Sequence, residues 1–151
     1  MTIIIQEDSF SISKMISELS EKDNVGAVVS FSGYVREFSK ERQLKYMELE
    51  HYPGMTEKAL ESIIQKAKSR WDIEETTIIH RVGKLSPKDI IVGVTVSSKH
   101  RSNAFMACEF IIDFLKTDAP FWKKEISIKG EVWVAERQED IIKKTKWNKL
   151  D

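Results

Sequence analysis

The chain has 151 residues and a formal net charge of zero, with 24 basic and 24 acidic side chains. This balance argues against nucleic-acid and membrane partners, so an anion site would have to be a local cluster of basic residues. The length predicts one domain, over residues 1–151, and the single cysteine excludes an intrachain disulfide or a cysteine-based zinc site.

Apolar runs are short throughout the chain. None approaches the roughly 20 residues of a membrane span, and Met1–Ile5 is too short for the core of a signal peptide. We therefore expect a soluble cytoplasmic protein.

The first half of the chain alternates strand and helix patterns. Ser9 or Ser11 is suited to cap a first helix that ends at Leu19, and Gly33 marks a candidate bulge inside a strong strand. Hydrophobic periodicity predicts strands over 3–5, 26–36 and 44–51, and an amphipathic helix over 55–71.

The second half contains a buried helix over 104–115, for which Ser102 is the candidate cap and Pro120 the stop signal. Strands are predicted over 76–81, 90–97, 126–128 and 132–134, with turn composition at 83–87 and a charged tail, containing at most a last helical turn, from 136 onward. The hairpin formed by the last two strands favours an α+β fold over a doubly wound sheet.

The segment from Lys116 to Glu125 is the first candidate site. Its two lysines, Lys116 and Lys123, flank a rigid corner made by Pro120 and two aromatic residues. Such a pair suits an anionic substrate in a partly dry pocket, where a lysine can shift toward its neutral form. The alternative is a helix C-terminus whose lysines favour the dipole while the aromatic residues only pack.

Two further basic groups are candidates. Arg36 follows a strand, and Lys99-His100-Arg101 precedes a helix N-terminus, which is a ready-made anion site. Solvated surface is the alternative for both. These groups join the two lysines only if the fold brings them to one edge.

Other chemistry has little support. His51 and His80 lie in strand patterns without a third metal ligand, so both are interpreted as core or supporting residues. Cys108 falls in the buried helix and is interpreted as a small apolar filler. Because no nucleotide-binding loop or nucleophile elbow is present, we expect neither a metal nor a cofactor.

Taken together, six segments resemble the catalytic (large) subunit of molybdopterin synthase, in the family's order and over nearly the whole chain. The most specific is Leu-Lys-Thr-Asp-Ala-Pro-Phe-Trp-Lys, over residues 115–123. The segments are Phe31–Arg36, Glu50–Ala59, His80–Gly83, Ser98–Arg101, Asp113–Glu125 and Trp133–Arg137. Lys99, the loop 38–43 and the tail after Gln138 depart from the family pattern.

The resemblance implies an α+β fold with an α/β hammerhead-like mixed sheet and an additional antiparallel β subdomain. It implies the conversion of cyclic pyranopterin monophosphate into molybdopterin by insertion of two sulfur atoms. The sulfur donor would be the C-terminal Gly-Gly thiocarboxylate of a small ubiquitin-like sulfur-carrier subunit. The expected assembly is a homodimer of this chain within a heterotetramer.

The resemblance also implies the site residues. Lys116 would lie beside the thiocarboxylate and Lys123 beside the pterin, one shuttling protons and the other stabilising negative charge, with the assignment open. Arg137 would act in its own site or in that of the other protomer. The implied substrate-binding residues are Tyr34, Val35, Arg36, His100, Arg101, Lys124, Glu125 and Arg137.

Two other functions remain as alternatives: a non-catalytic phosphate- or nucleotide-binding module, and a scaffold that docks a ubiquitin-like protein. The lysine pair at a rigid corner exceeds what anion capture needs, and together with the resemblance it favours the enzyme.

Overall fold

The computed structural model describes residues 1–135 and 137–150, and has the predicted α+β fold. Within these residues, four α-helices are interspersed among nine strands, and a short 3-10 helix follows at residues 146–150. The strands are β1 (Thr2–Gln6), β2 (Ala27–Tyr34), β3 (Phe38–Ser39), β4 (Arg42–His51), β5 (Glu75–Arg81), β6 (Gly83–Leu85), β7 (Ile90–Ser98), β8 (Phe121–Ser127) and β9 (Gly130–Val134). The helices are α1 (Ile12–Ser20), α2 (Met55–Arg70), α3 (Arg101–Asp118) and α4 (Gln138–Thr145).

A mixed four-stranded sheet contributes the larger part of the core. Its order is β1-β5-β7-β2, with β1 parallel to β5 and the other pairs antiparallel. The apolar faces of α2 and α3 pack on β5 and β7, whose residues are nearly all buried. The predicted bulge at Gly33 is present, because the β2–β7 register shifts between Gly33 and Tyr34.

A second sheet, entirely antiparallel, is built around β4. Met47 of β4 pairs with both β6 and β8, so these two strands lie on opposite edges of β4, and β9 extends the sheet beyond β8. A small hydrophobic cluster lies beneath it, formed by Val35, Leu44, Met47, Leu49 and Leu85. This sheet confirms the predicted β subdomain, whereas the turn expected over 83–87 is wrong because residues 83–85 form β6.

The N-terminus of α1 has the side-chain cap that the sequence predicts, whereas the N-terminus of α3 has none. Ser11 caps α1, since its Oγ accepts a hydrogen bond from the Lys14 backbone N–H at 3.2 Å. The predicted cap at Ser102 is wrong: α3 begins two residues earlier than that cap implies, at Arg101, with His100 at the cap position and no side-chain cap bond. The helix ends at Asp118, before Pro120, as expected.

The C-terminal segment is more ordered than its charged composition predicts. Trp147 is only 1% exposed, packs edge-on against Trp71 and Phe110, and donates a hydrogen bond to Asp113 of α3 at 2.8 Å. Lys144 of α4 pairs with Asp118 at 2.7 Å, so α4 and the following turn are fastened to the C-terminal part of α3.

The prediction of one domain over 1–151 stays a prediction. Glu136, part of the quoted Trp133–Arg137 segment, and Asp151 lie outside the described residues. None of the helices in the described ranges is both long and apolar enough to cross a bilayer.

Candidate active site

A cavity of about 380 Å³ opens where the two sheets meet. Its apolar wall is formed largely by Phe31, Leu44, Met47, Leu49, Ile91, Val92 and Leu115. Its polar wall is formed by Tyr34, Arg36, His80, Lys116, Lys123, Glu125, Arg137 and Asp140. Residues from the ends of β2 and α3, from β8 and from the start of α4 thus meet at one place.

The corner at Pro120 positions the two lysines as the sequence suggests. Lys116 is in the last turn of α3, at the rim of the cavity, and Lys123 is the third residue of β8. Because side chains alternate along a strand, Lys123 and Glu125 share the cavity face, while Lys124 points away from it. Lys124 instead pairs with Glu48 at 3.4 Å and Glu131 at 3.5 Å.

Lys123 is half-buried, and its environment favours loss of the proton. Burial lowers the pKa of Lys123, against the opposing effect of the Glu125 carboxylate. The positive charges of Lys116, Arg36 and Arg137 lower this pKa further. A lysine in such surroundings gives up its proton more readily than a solvated one, which suits it to proton transfer.

Glu125 is the buried carboxylate of the cavity wall, with 4% of its surface exposed. Its Oε1 accepts a hydrogen bond from Ser39 Oγ at 2.8 Å and one from Arg42 Nη2 at 3.4 Å. Both donors come from the turn end of the hairpin formed by β3 and β4. The Glu125 carboxylate is therefore bound by two residues that do not themselves line the cavity.

His80 lines the cavity. From the sequence it is interpreted only as a core or supporting residue and is not placed in the site. Its ring stacks on Phe121, with centroids 3.8 Å apart, and its Nδ1 lies 2.8 Å from the carbonyl oxygen of Arg81. Since a carbonyl only accepts, Nδ1 carries the proton and Nε2 is left as an acceptor. Burial lowers the pKa of His80 to about 4, and the Lys116 charge contributes, so the ring is neutral at physiological pH.

His100 and Arg101 lie far from this cavity. They stand at the N-terminal end of α3, and Lys116 follows fifteen residues later, which corresponds to a separation of about 22 Å along the helix. They are absent from the cavity of their own chain, so the expected convergence of all three basic groups does not occur within one protomer. Their role in substrate binding stays a prediction.

Val35 contributes through its backbone rather than through a cavity contact. Its side chain is 2% exposed in the hydrophobic cluster beneath the second sheet. Its N–H donates to the Asp89 carbonyl oxygen at 2.9 Å, and its own carbonyl accepts from the Lys88 N–H at 2.8 Å. These bonds fix the strand end that presents Tyr34 and Arg36 to the cavity.

Cys108 is not suited to carry sulfur in this fold. It is buried within α3, away from the cavity lining, and burial raises the pKa of its thiol to about 12. In the described parts of the chain, no group of three or more His, Cys, Asp or Glu side chains is placed to hold a metal ion.

The charges of the cavity define its chemistry. Four basic side chains, Arg36, Lys116, Lys123 and Arg137, face two carboxylates, of Glu125 and Asp140, so the cavity is positive and suits an anionic substrate. The neutral His80 adds a hydrogen-bond acceptor, and the half-buried Lys123 adds a group that exchanges protons. The arrangement supports anion binding combined with proton transfer.

Known proteins resemble this chain over nearly its whole length. The profile of the family described as MoaE protein matches residues 5–118. The molybdopterin synthase catalytic subunit of Yersinia pestis is 50% identical over 145 residues, which cover 96% of each chain. The structure of the molybdopterin biosynthesis MoaE protein from Burkholderia ambifaria superposes with a TM-score of 0.83 at 46% identity, covering 97% of each chain.

A more distant structure shares the fold. It is a protein–protein complex of subunits 1 and 2 of the molybdopterin-converting factor from Helicobacter pylori, and the matched chain has a TM-score of 0.75 at 21% identity. The match covers 89% of this chain and 91% of that one. With the family profile and the close relatives, the conclusion is that this chain belongs to the MoaE protein family of molybdopterin synthase catalytic subunits.

Proposed function

We propose that this molybdopterin synthase catalytic subunit inserts two sulfur atoms into cyclic pyranopterin monophosphate in the cavity that contains Lys116 and Lys123. The observation that carries the proposal is this lysine pair at the Pro120 corner, in a positive cavity with an apolar wall. A phosphate-bearing pterin and a thiocarboxylate are both anionic, so the cavity complements both reactants. We propose that this reaction takes place in the cytoplasm.

The two lysines have different surroundings, and we assign them different roles. Lys123 is half-buried with a lowered pKa, so it is suited to shuttle protons as sulfur replaces oxygen. Lys116 stands at the exposed end of α3, where its ammonium stabilises the negative charge that develops on the reacting thiocarboxylate. Tyr34, Arg36, Glu125 and Arg137 complete the substrate-binding wall of the same chain.

The buried, protonated thiol of Cys108 does not reach the cavity, so the sulfur is supplied from outside this chain. We propose that the donor is a small ubiquitin-like subunit whose C-terminal Gly-Gly thiocarboxylate enters the cavity past Lys116. The two-subunit complex of the molybdopterin-converting factor from Helicobacter pylori supports a partner of this kind.

The position of His100 and Arg101 supports a composite site. Because about 22 Å of helix separates them from Lys116, they can bind the substrate phosphate only in the cavity of another protomer. We therefore propose a homodimer within a heterotetramer, in which each α3 N-terminus supplies these two side chains to its neighbour. Arg137 lines the cavity of its own chain, and we propose that it acts there.

The donor is tested by reconstitution of this chain with its small subunit and cyclic pyranopterin monophosphate. Molybdopterin is expected with the thiocarboxylated small subunit and not with the same subunit ending in an ordinary carboxylate. The Cys108→Ala variant is expected to form product at the wild-type rate. Loss of product in a folded Cys108→Ala variant would show that the sulfur passes through this chain.

The composite site is tested by mixing two inactive variants, Arg101→Ala and Lys123→Ala. After random exchange of subunits, half of the dimers are mixed and each of these has one intact site, so about a quarter of the wild-type activity returns. If Arg101 and Lys123 served the same chain's site, mixing would restore nothing.

A further inference from the structure

We propose that Ser39 and Arg42, on the hairpin formed by β3 and β4, are positioning residues that hold the Glu125 carboxylate in place beside Lys123, on the same face of β8. The inference rests on the proposed function in that Lys123 takes part in sulfur insertion. Neither Ser39 nor Arg42 lines the cavity, so both act through Glu125 rather than on the substrate.

The contacts converge on one oxygen atom. Glu125 Oε1 accepts from Ser39 Oγ at 2.8 Å and from Arg42 Nη2 at 3.4 Å. The side chains of Glu125 and Arg42 are only 6% and 20% exposed, so solvent screens this ion pair less than it screens a surface pair. Glu125 itself lines the cavity, so the residue that these two donors hold also faces the substrate space.

The hairpin geometry explains why these two residues act together. Ser39 and Arg42 are direct cross-strand partners, joined by Lys40 and Glu41 with φ values of 48° and 69°. Two consecutive residues in the left-handed region form the tight turn that matches the twist of a two-stranded hairpin. The turn therefore fixes both side chains at the same level, behind Glu125.

The charge balance around Lys123 gives the hairpin a consequence for the reaction. Lys116 of α3, Arg36 after β2 and Arg137 before α4 repel the Lys123 ammonium, whereas Glu125 attracts it. The other ionisable side chains that line the cavity are His80 of β5, which is neutral, Tyr34 of β2 and Asp140 of α4. Arg42 offsets part of the Glu125 charge, and so limits how strongly that carboxylate holds the proton on Lys123.

Substitutions of Arg42 and of Glu125 are expected to shift the pKa of Lys123 in opposite directions. The Arg42→Gln substitution removes a positive charge and leaves the Glu125 carboxylate unopposed, so the pKa of Lys123 rises. The Glu125→Gln substitution removes the attraction itself, so the same pKa falls. Ser39→Ala removes one hydrogen bond to the carboxylate, and a smaller rise is expected.

The test reads Lys123 directly, by NMR titration of lysine side chains labelled with carbon-13 in the free protein, with Lys123→Arg to assign the signal. Arg42→Lys keeps the positive charge and is expected to titrate close to the wild type. Gln43→Ala, the exposed neighbour on the same strand, is the matched control and is expected to leave the titration unchanged.

Activity supplies the second measurement. In Arg42→Gln the limb of the kcat–pH profile that reports Lys123 moves to higher pH, so kcat measured below that limb falls by about tenfold for each pH unit of the shift, with little change in KM. Arg42→Lys restores most of this loss.

Three results would overturn the proposal: an unchanged Lys123 titration in folded Arg42→Gln, a shift of the same sign in Glu125→Gln, or equal behaviour of Arg42→Lys and Arg42→Gln. If Arg42→Gln does not fold, Ser39→Ala decides by the same titration: a rise in the pKa of Lys123 supports the proposal, and an unchanged titration overturns it. The NMR titration needs neither substrate nor partner, so failure of the proposed reaction and failure of this inference are separate outcomes.

Discussion

His80 makes the stability of this protein depend on pH, and the His80→Asn substitution removes that dependence. The asparagine amide can still donate to the Arg81 carbonyl oxygen in place of Nδ1, but it does not titrate. In the folded protein the pKa of His80 is lowered from 6.5 to about 4, chiefly by burial. The imidazole is 5% exposed, so solvent screening does little to reduce this effect.

The sign and the size follow from proton linkage. Above pH 6.5 the ring is neutral in both states, and between 6.5 and about 4 only the unfolded chain binds the proton. The free energy of unfolding therefore falls as the pH decreases through this window. The difference between the two pKa values corresponds to a loss of roughly 3 kcal/mol, complete near pH 4.

Urea denaturation at a series of pH values measures this loss. Between about pH 7 and about pH 4, the wild type is expected to lose roughly 3 kcal/mol more than His80→Asn, with similar m-values for the two proteins. His100→Asn, at an exposed position, is the control and is expected to keep the wild-type slope. Parallel pH profiles for the wild type and His80→Asn would show that His80 does not contribute this pH dependence.

Three further substitutions test the packing. Trp147→Ala removes a fully buried ring and its bond to Asp113, and is expected to cost roughly 3–5 kcal/mol of unfolding free energy in urea denaturation; a cost below about 1 kcal/mol would contradict the assigned anchor. Gly26→Ala would place a Cβ atom 2.1 Å from the backbone oxygen of Lys99, so a fall in the melting temperature is expected, and an unchanged melting temperature would refute the close approach. Ser11→Ala removes the cap of α1 and is expected to cost about 1 kcal/mol by the same denaturation assay, whereas no measurable cost would contradict the capping bond.

Much of the fold could be predicted because its signals are local. Ser11 directly precedes an amphipathic stretch, and its cap is present in α1. Pro120 stops α3, and Gly33 marks the bulge in β2, because each restricts or frees the backbone at its own position. The long periodic segments that became α2, β4 and β7 were predicted to within a few residues.

The features that the sequence did not reveal depend on contacts between distant residues. β6 has three residues, too few for a strand period, and is a strand only because it pairs with β4. The tail after Gln138 is highly charged, and its order depends on Trp147 reaching a pocket formed by α2 and α3. The Ser102 cap failed because the backbone turns into α3 at His100, where no side chain caps the helix.

In the candidate site, too, the residues that are close in sequence could be predicted together, and those that are far apart could not. Lys116 and Lys123 are close in sequence, and the Pro120 corner was enough to predict that both face one place. His80 and the pair Arg42 and Glu125 join segments that are far apart in the chain, so neither periodicity nor composition reports their contacts. The separation of Arg101 from Lys116 follows from the length of α3, which was predicted to be shorter.

The most direct test of the account is the rate of molybdopterin formation by Lys116→Ala and Lys123→Ala in the reconstituted system with thiocarboxylated small subunit. Lys129→Ala, in the exposed turn between β8 and β9, is the matched control for removal of a lysine. We expect a wild-type rate for the control and a loss on the order of a hundredfold or more for each cavity lysine. A wild-type rate in either cavity variant would contradict the assignment of the chemistry to this lysine pair.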